Sequence, residues 1–279
     1  MVDFSLALRV PQEVSEKIET AAASILKNKI ILSYLPVTLV IGCTIKAIGF
    51  LNFIKEKNVL GITNPENLIN VVFAGNAYYW CMFVFFLISI LIIKLKHLVE
   101  FSLPVTLQDL NTENVNFQKI KPLLLRQLLK ITLLLLALNA CLYPNAIFDY
   151  VFKKTGAYCE LGSSNPETVP DSKASCLSSG GSWVGGFDPS GHLFLTTNIS
   201  LMVLFELKDL VYLKMANDDR IDQKYLLFSY NCTILISTVL LLIWWWLFSV
   251  TCIFFHTILE KIIGFLCGLI TPLAVNFFF

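Results

Sequence analysis

Only three histidines occur in the 279 residues, and two of them stand where chemistry can be done. His192 ends the turn Gly185-Gly186-Phe187-Asp188-Pro189-Ser190-Gly191 and opens an apolar run. The glycines let the backbone turn tightly and Pro189 fixes one φ. The Ser190 hydroxyl and the amides of Ser190, Gly191 and His192 then fall at the first turn of the helix predicted to follow. Such amides lack intrahelical acceptors and sit at the positive end of the helix dipole, a ready site for phosphate. His256 is followed four residues later by Glu260. On a helix that spacing places both on one face, where a carboxylate can hold the imidazole in a single tautomer. Together these are parts for phosphoryl transfer without an obligatory metal. One neutral histidine attacks phosphorus and the other protonates the departing oxygen, while amides and a cation stabilise the equatorial oxygens. Lys261, Lys153 and Lys154 are the nearby cations.

Plainer readings of the same residues stand beside this one. A histidine at the end of a span can be an interfacial anchor, and Glu260-Lys261 can be a simple ion pair between two spans. His97, next to Lys94 and Lys96, reads as such an anchor. Trp244, Trp245 and Trp246 read as an aromatic belt. Cys252 and His256 are also four apart, but no further ligands stand at supporting spacings. Neither a metal nor any other cofactor is expected.

The elements that must position these residues follow from composition. The chain is 56% hydrophobic and 15% charged, with a mean hydropathy of +0.70. Soluble domains are less apolar and more charged, so the fold class is an all-α polytopic membrane protein. A net charge of +1 argues against a nucleic-acid partner. Six spans are predicted: Ile30–Phe50, interrupted by Lys46; Val72–Ile93; Ile131–Phe152, beginning after Lys130; the short Leu193–Leu207; one within Tyr225–Phe255; and Ile262–Phe279. Residues 1–29 read as a cytosolic amphipathic arm without a cleavable signal, and residues 30–279 as the membrane domain.

Lys and Arg set the orientation. The arm, the loop 94–130 and the loop 208–224 hold 14 of the 21. That places both termini in the cytosol and the loops 51–71, 153–192 and 251–261 on the far side. The loop 153–192 is rich in Gly, Ser and Pro and is expected to have little regular structure. It holds Cys159 and Cys176, which can pair if that side is oxidising. The sequons at Asn198 and Asn231 fall inside predicted spans, where modification is not expected. The group Glu206-Lys208-Asp209 is read as the cytosolic end of the fourth span.

Trp183-Val184-Gly185-Gly186-Phe187-Asp188-Pro189-Ser190-Gly191-His192, followed by Phe255-His256-Thr257-Ile258-Leu259-Glu260-Lys261, resembles the fat storage-inducing transmembrane (FIT) family in a fungal form. The resemblance covers the six-span layout and most of the C-terminal half. It implies a helical bundle like that of the lipid phosphate phosphatases. It further implies His256 as nucleophile oriented by Glu260, His192 as general acid, and Ser190 with the Gly191 amide as phosphate binders. Two phosphatase motifs are absent, the Lys…Arg-Pro motif and the Ser-Arg pair, in whose place Val250 and Thr251 stand. The family implies residence in the endoplasmic reticulum membrane and support of lipid droplet formation. It implies cleavage of the diphosphate of fatty acyl-coenzyme A to acyl 4′-phosphopantetheine and adenosine 3′,5′-bisphosphate. The partners so implied are acyl-coenzyme A and membrane lipids.

Other readings are a lipid phosphate phosphatase, a non-catalytic binder of neutral lipid, and a transporter. Glu260 four residues after His256 is a feature that a neutral-lipid groove does not need, and no internal repeat suggests a transporter.

Overall fold

The computed structural model describes residues 30–49, 61, 64, 67–101, 112–143, 146–161, 173–216 and 224–279. The arm 1–29 lies outside them. Six long helices make the bundle: α1 (Ile30–Ile48), α2 (Ala77–Phe101), α3 (Thr112–Leu142), α6 (Gly191–Met215), α7 (Lys224–Phe254) and α8 (Ile258–Phe278). Between α3 and α6 lie two short helices, α4 (Ile147–Lys154) and α5 (Lys173–Ser178), and two strands, β1 (Tyr158–Glu160) and β2 (Ser182–Val184). A π-helical turn, Asn70–Ala74, precedes α2.

The fold is therefore an all-α membrane bundle. Four stretches of the described chain are long and apolar enough to cross a bilayer: Ala77–Leu98, the run starting at Ile120 in α3, Tyr225–Phe254 and Ile258–Phe278. The apolar part of α1, Ser33–Ile48, is shorter. α6 is set apart because it carries Thr196, Thr197, Asn198, Ser200 and Glu206, all buried. It is the central helix, shielded from lipid by α2, α7 and α8 packed around it. Asn198 and Asn231, the two sequon positions, are buried within helices α6 and α7.

α8 lies directly on α6 because two glycines one turn apart remove the side chains between them. A Cβ on Gly264 would lie 2.5 Å from the Ser190 carbonyl oxygen, and one on Gly268 would lie 2.8 Å from that of Phe194. Small residues at this spacing let membrane helices approach to backbone contact. α1 reaches α7 in the same way. A Cβ on Gly42 would lie 2.5 Å from Cys252 Cβ, and Tyr34 stacks on Trp245 with ring centroids 4.8 Å apart.

Several expectations are corrected. The third apolar run, Ile120–Lys154, is not one continuous helix. α3 ends at Leu142, just before Pro144, whose ring and missing N–H stop a helix. α4 is a separate helix with Phe148 and Phe152 buried. Lys130 is not a boundary but a buried residue in mid-helix. Its ammonium is paired with Glu206 of α6, which also accepts from Gln127 at 3.2 Å. Glu206 thus belongs to the interior and does not mark a helix end. Desolvation makes such a pair viable only when both charges are matched and hydrogen-bonded. Trp244 is no belt residue: it is 0% exposed and its indole donates to the Phe73 carbonyl at 3.2 Å.

The 153–192 region is also more ordered than its composition suggests. β1 and β2 pair antiparallel, with Cys159 opposite Trp183. Cys159 and Cys176 form a disulfide that ties α5 to this hairpin. Gly185 and Gly186 follow β2 at φ 77° and 63°. A Cβ on Gly186 would lie 2.6 Å from the Phe152 carbonyl oxygen, so both conformation and space require glycine there.

Candidate active site

The chain after β2 descends through Phe187 to Ser190 and enters α6. Phe187 donates its amide to Thr155 Oγ1 at 2.6 Å, fixing the turn against the end of α4. Ser190 is the N-cap, and its hydroxyl accepts from the Leu193 amide at 3.4 Å. It is fully buried. Gly191 and His192 form the first turn, so their amides lie at the positive end of the α6 dipole. His192 Nε2 lies 2.9 Å from Asn70 Oδ1. An amide oxygen only accepts, so this contact places the ring hydrogen on Nε2.

Asn70 is held in turn. Its amide donates to Asn67 Oδ1 at 2.8 Å. The π-helical turn it opens is braced by Trp80, Asn76 and Trp244, which donate to the carbonyls of Val72, Val71 and Phe73. π-helical turns recur at functional sites. Sequence reasoning missed Asn70, because the segment before α2 carries no periodicity.

His256 is not on a helix, which corrects the shared-face expectation. α7 ends at Phe254 and α8 begins at Ile258, and His256 stands between them at φ 52°. The left-handed region costs an ordinary residue about 1–2 kcal/mol and persists only where surroundings enforce it. Two neighbours do so here. Lys46 of α1 donates its ammonium to the carbonyls of Phe255, at 3.2 Å, and His256. Thr257 caps α8 in a capping box: the Glu260 amide donates to Thr257 Oγ1 at 3.4 Å, and the Thr257 amide to Glu260 Oε2 at 2.7 Å. The Thr257-x-x-Glu260 pattern was a legible signal for this helix start.

Glu260 joins the two histidine segments. Its Oε1 accepts from the Asp188 amide at 3.0 Å, and its backbone carbonyl accepts from the Ser190 amide at 3.1 Å. Its Oε2 lies 3.8 Å from His256 Nδ1, an electrostatic contact longer than a hydrogen bond. The contact sits on the Nδ1 side, so the carboxylate favours a hydrogen there and leaves the Nε2 lone pair available. Active-site hydrogen bonds are often loose before substrate arrives.

Of the cations, Lys261 is 0% exposed. Its ammonium is turned to the Cys252 carbonyl, under the end of α7. Lys153 and Lys154 close α4 beside the Phe187 turn, with Lys154 over the Tyr150 ring. Lys46 is the cation that sequence reasoning did not assign to this site. Among the described residues no group of three or more His, Cys, Asp or Glu is placed to hold a metal ion. A groove of about 410 Å³ opens beside the π-helical turn, lined by Val72, Asn76, Tyr79, Trp80 and Phe83.

Two histidine segments joined by one carboxylate thus stand at one end of a helical membrane bundle. The family model for the fat storage-inducing transmembrane protein matches residues 61–276, which include Asn70, Ser190, His192, His256, Glu260 and Lys261 but not Lys46. The chain belongs to this family. Among FIT relatives, it is 29% identical over 234 residues to acyl-coenzyme A diphosphatase YFT2 of Saccharomyces cerevisiae, covering 79% of this chain and 81% of that one. It is 26% identical over 208 residues to acyl-coenzyme A diphosphatase fit1 of Schizosaccharomyces pombe, covering 74% and 69%. It is 32% identical over 145 residues to acyl-coenzyme A diphosphatase FITM2 of Danio rerio, covering 50% and 53%. No solved structure matches the chain.

Proposed function

We propose that this FIT protein is an acyl-coenzyme A diphosphatase of the endoplasmic reticulum membrane, with both termini cytosolic and the site facing the lumen. The observation that carries the reading is Glu260, which holds the His192 turn and the His256 turn together at one end of the bundle. The relatives' names supply the substrate class.

His256 Nε2 bonds to one phosphorus of the diphosphate as the bond from that phosphorus to the bridging oxygen breaks. The departing oxygen takes a proton from His192. Water then attacks the phosphohistidine and gives a proton to His192, and His256 is released. One water is consumed and two phosphomonoesters form, acyl 4′-phosphopantetheine and adenosine 3′,5′-bisphosphate. Gly191 contributes its amide to the phosphate, and Ser190 aims the helix by capping it. Lys46 and Lys261, set at the end of α7, hold positive charge beneath the reacting turn. The groove along Val72, Tyr79 and Phe83 offers the acyl chain an apolar face beside the Asn70–His192 pair.

Droplet formation and lipid balance in the endoplasmic reticulum follow as downstream roles of this hydrolysis. The test is purified full-length protein with oleoyl-coenzyme A, the products identified by mass spectrometry. Release of both phosphomonoesters supports the reading, and intact substrate after prolonged incubation refutes it.

A further inference from the structure

A second site lies at the other end of the bundle. α2 starts beside Asn70, and Lys94 is 17 residues beyond Ala77, about 26 Å along the helix axis. That distance approaches the thickness of a bilayer's hydrocarbon core, about 30 Å. Here a cavity of about 480 Å³ opens between α2, α3 and α7. That size falls in the range of about 300–1,000 Å³ usual for sites that enclose a ligand. Its walls are apolar, including Leu87, Leu91, Leu98 and Leu226, and Lys94 and His97 stand on its lining. A second cavity of about 300 Å³ adjoins it, sharing Ile93, His97 and Ile120, and adds Lys96 and Arg126.

Four basic side chains thus gather where an apolar slot meets the membrane boundary. Among the described residues that line the two cavities none is acidic. Arg126 reaches Asp209 of α6 at 3.8 Å, with the Asp209 side chain half exposed, so that carboxylate lies just outside the lining. A soluble anion would not need the apolar walls, and a neutral lipid would not need the charges. An anionic phospholipid uses both: its phosphate meets the cations and its acyl chain fills the slot. Basic pockets between helices at the cytosolic face of membrane proteins hold headgroups in this way.

We propose that the cavity between α2, α3 and α7 binds an anionic phospholipid, with Lys94, Lys96, His97 and Arg126 around its phosphate. The site is separate from the histidine site and does not depend on the hydrolase reading. His97, taken from sequence for an interface anchor, becomes part of its lining.

The probe is dioleoylphosphatidylglycerol, a phosphodiester with one net negative charge, set against dioleoylphosphatidylcholine in equal amounts. Purified full-length protein is exchanged into mixed micelles, and retained lipid is counted by native mass spectrometry. The wild type is expected to retain the anionic lipid at least fivefold over the neutral one. Lys94→Glu with Lys96→Glu is expected to bring that ratio near one. Ser229→Trp, which fills the cavity without changing charge, is expected to lower retention of the anionic lipid several-fold. Lys154→Glu, at the opposite end, is expected to leave the ratio unchanged. Equal retention of the two lipids by the wild type overturns the proposal. So does a preference that survives both the charge reversal and the tryptophan.

Discussion

The Ser190 amide donates to the Glu260 backbone carbonyl at 3.1 Å. Through this bond the first turn of α6 and the first turn of α8 are one unit, and each carries a histidine segment. The unit exists because Gly264, one turn below Glu260, lets the α8 backbone lie against Ser190. The close helix pair in the membrane therefore sets the geometry of the polar site above it.

Glu260→Gln should separate the two jobs of this residue. Glutamine keeps one acceptor oxygen for the amides of Thr257 and Asp188 but loses the charge facing His256. Loss of cap quality should lower stability by about 1 kcal/mol. Loss of the carboxylate should lower kcat by roughly 10²-fold or more. Thermal unfolding in detergent and steady-state hydrolysis measure the two effects, and unchanged turnover would show that Glu260 only caps α8.

Asn70→Asp tests the positioning of His192. It sets a carboxylate where the amide now lies 2.9 Å from Nε2. A neighbouring negative charge favours the imidazolium, so the pKa of His192 should rise. A general acid must be protonated to act, so the alkaline limb of the kcat profile should move up, by about one pH unit. A purely structural role would lower the rate at every pH without moving that limb.

Lys46→Met removes the ammonium from the carbonyls of Phe255 and His256. The left-handed His256 then loses one of its two restraints, and kcat should fall roughly 10- to 100-fold as the ring drifts. Lys46→Arg should restore most of the rate, because a guanidinium also donates to carbonyls. If the methionine variant turns over normally, Lys46 serves only to dock α1.

Gly264→Ala places a methyl 2.5 Å from the Ser190 carbonyl oxygen. Overpacking of this kind costs about 1–3 kcal/mol. Both the melting temperature and the hydrolysis rate should fall, because the strain is applied at the join between the histidine segments. A variant that loses stability and keeps full activity would separate the helix contact from the site.

Much of this was readable from residue types. The apolar spans and the end of the bundle that holds His192 and His256 follow from composition, spacing and the membrane's demand for helices, whereas the sequence left open whether Cys159 and Cys176 pair, and the structure shows the disulfide. The errors have local causes. Four-residue spacing between His256 and Glu260 reads as one helical face, yet Thr257 with Glu260 starts a new helix, and His256 itself stands before it in the left-handed region. Lys46 reads as a blemish in a span until Gly42 brings α1 against α7. Lys130 and Glu206 are 76 residues apart, and nothing local marks them as partners. Trp244 joins the core because its indole finds a carbonyl in a π-helical turn, and that turn has no sequence period.

The central claim is that His256 and His192 act on one phosphorus centre. Its most direct measurement is intact-protein mass and phosphohistidine detection after brief mixing of His192→Ala with acyl-coenzyme A, run beside wild type and His256→Ala. The account predicts an acid-labile covalent phosphoadduct on His256 that accumulates in His192→Ala, where loss of the second histidine slows its hydrolysis. It predicts no adduct and no turnover in His256→Ala. Full turnover in His256→Ala, or an adduct on any other residue, would contradict it.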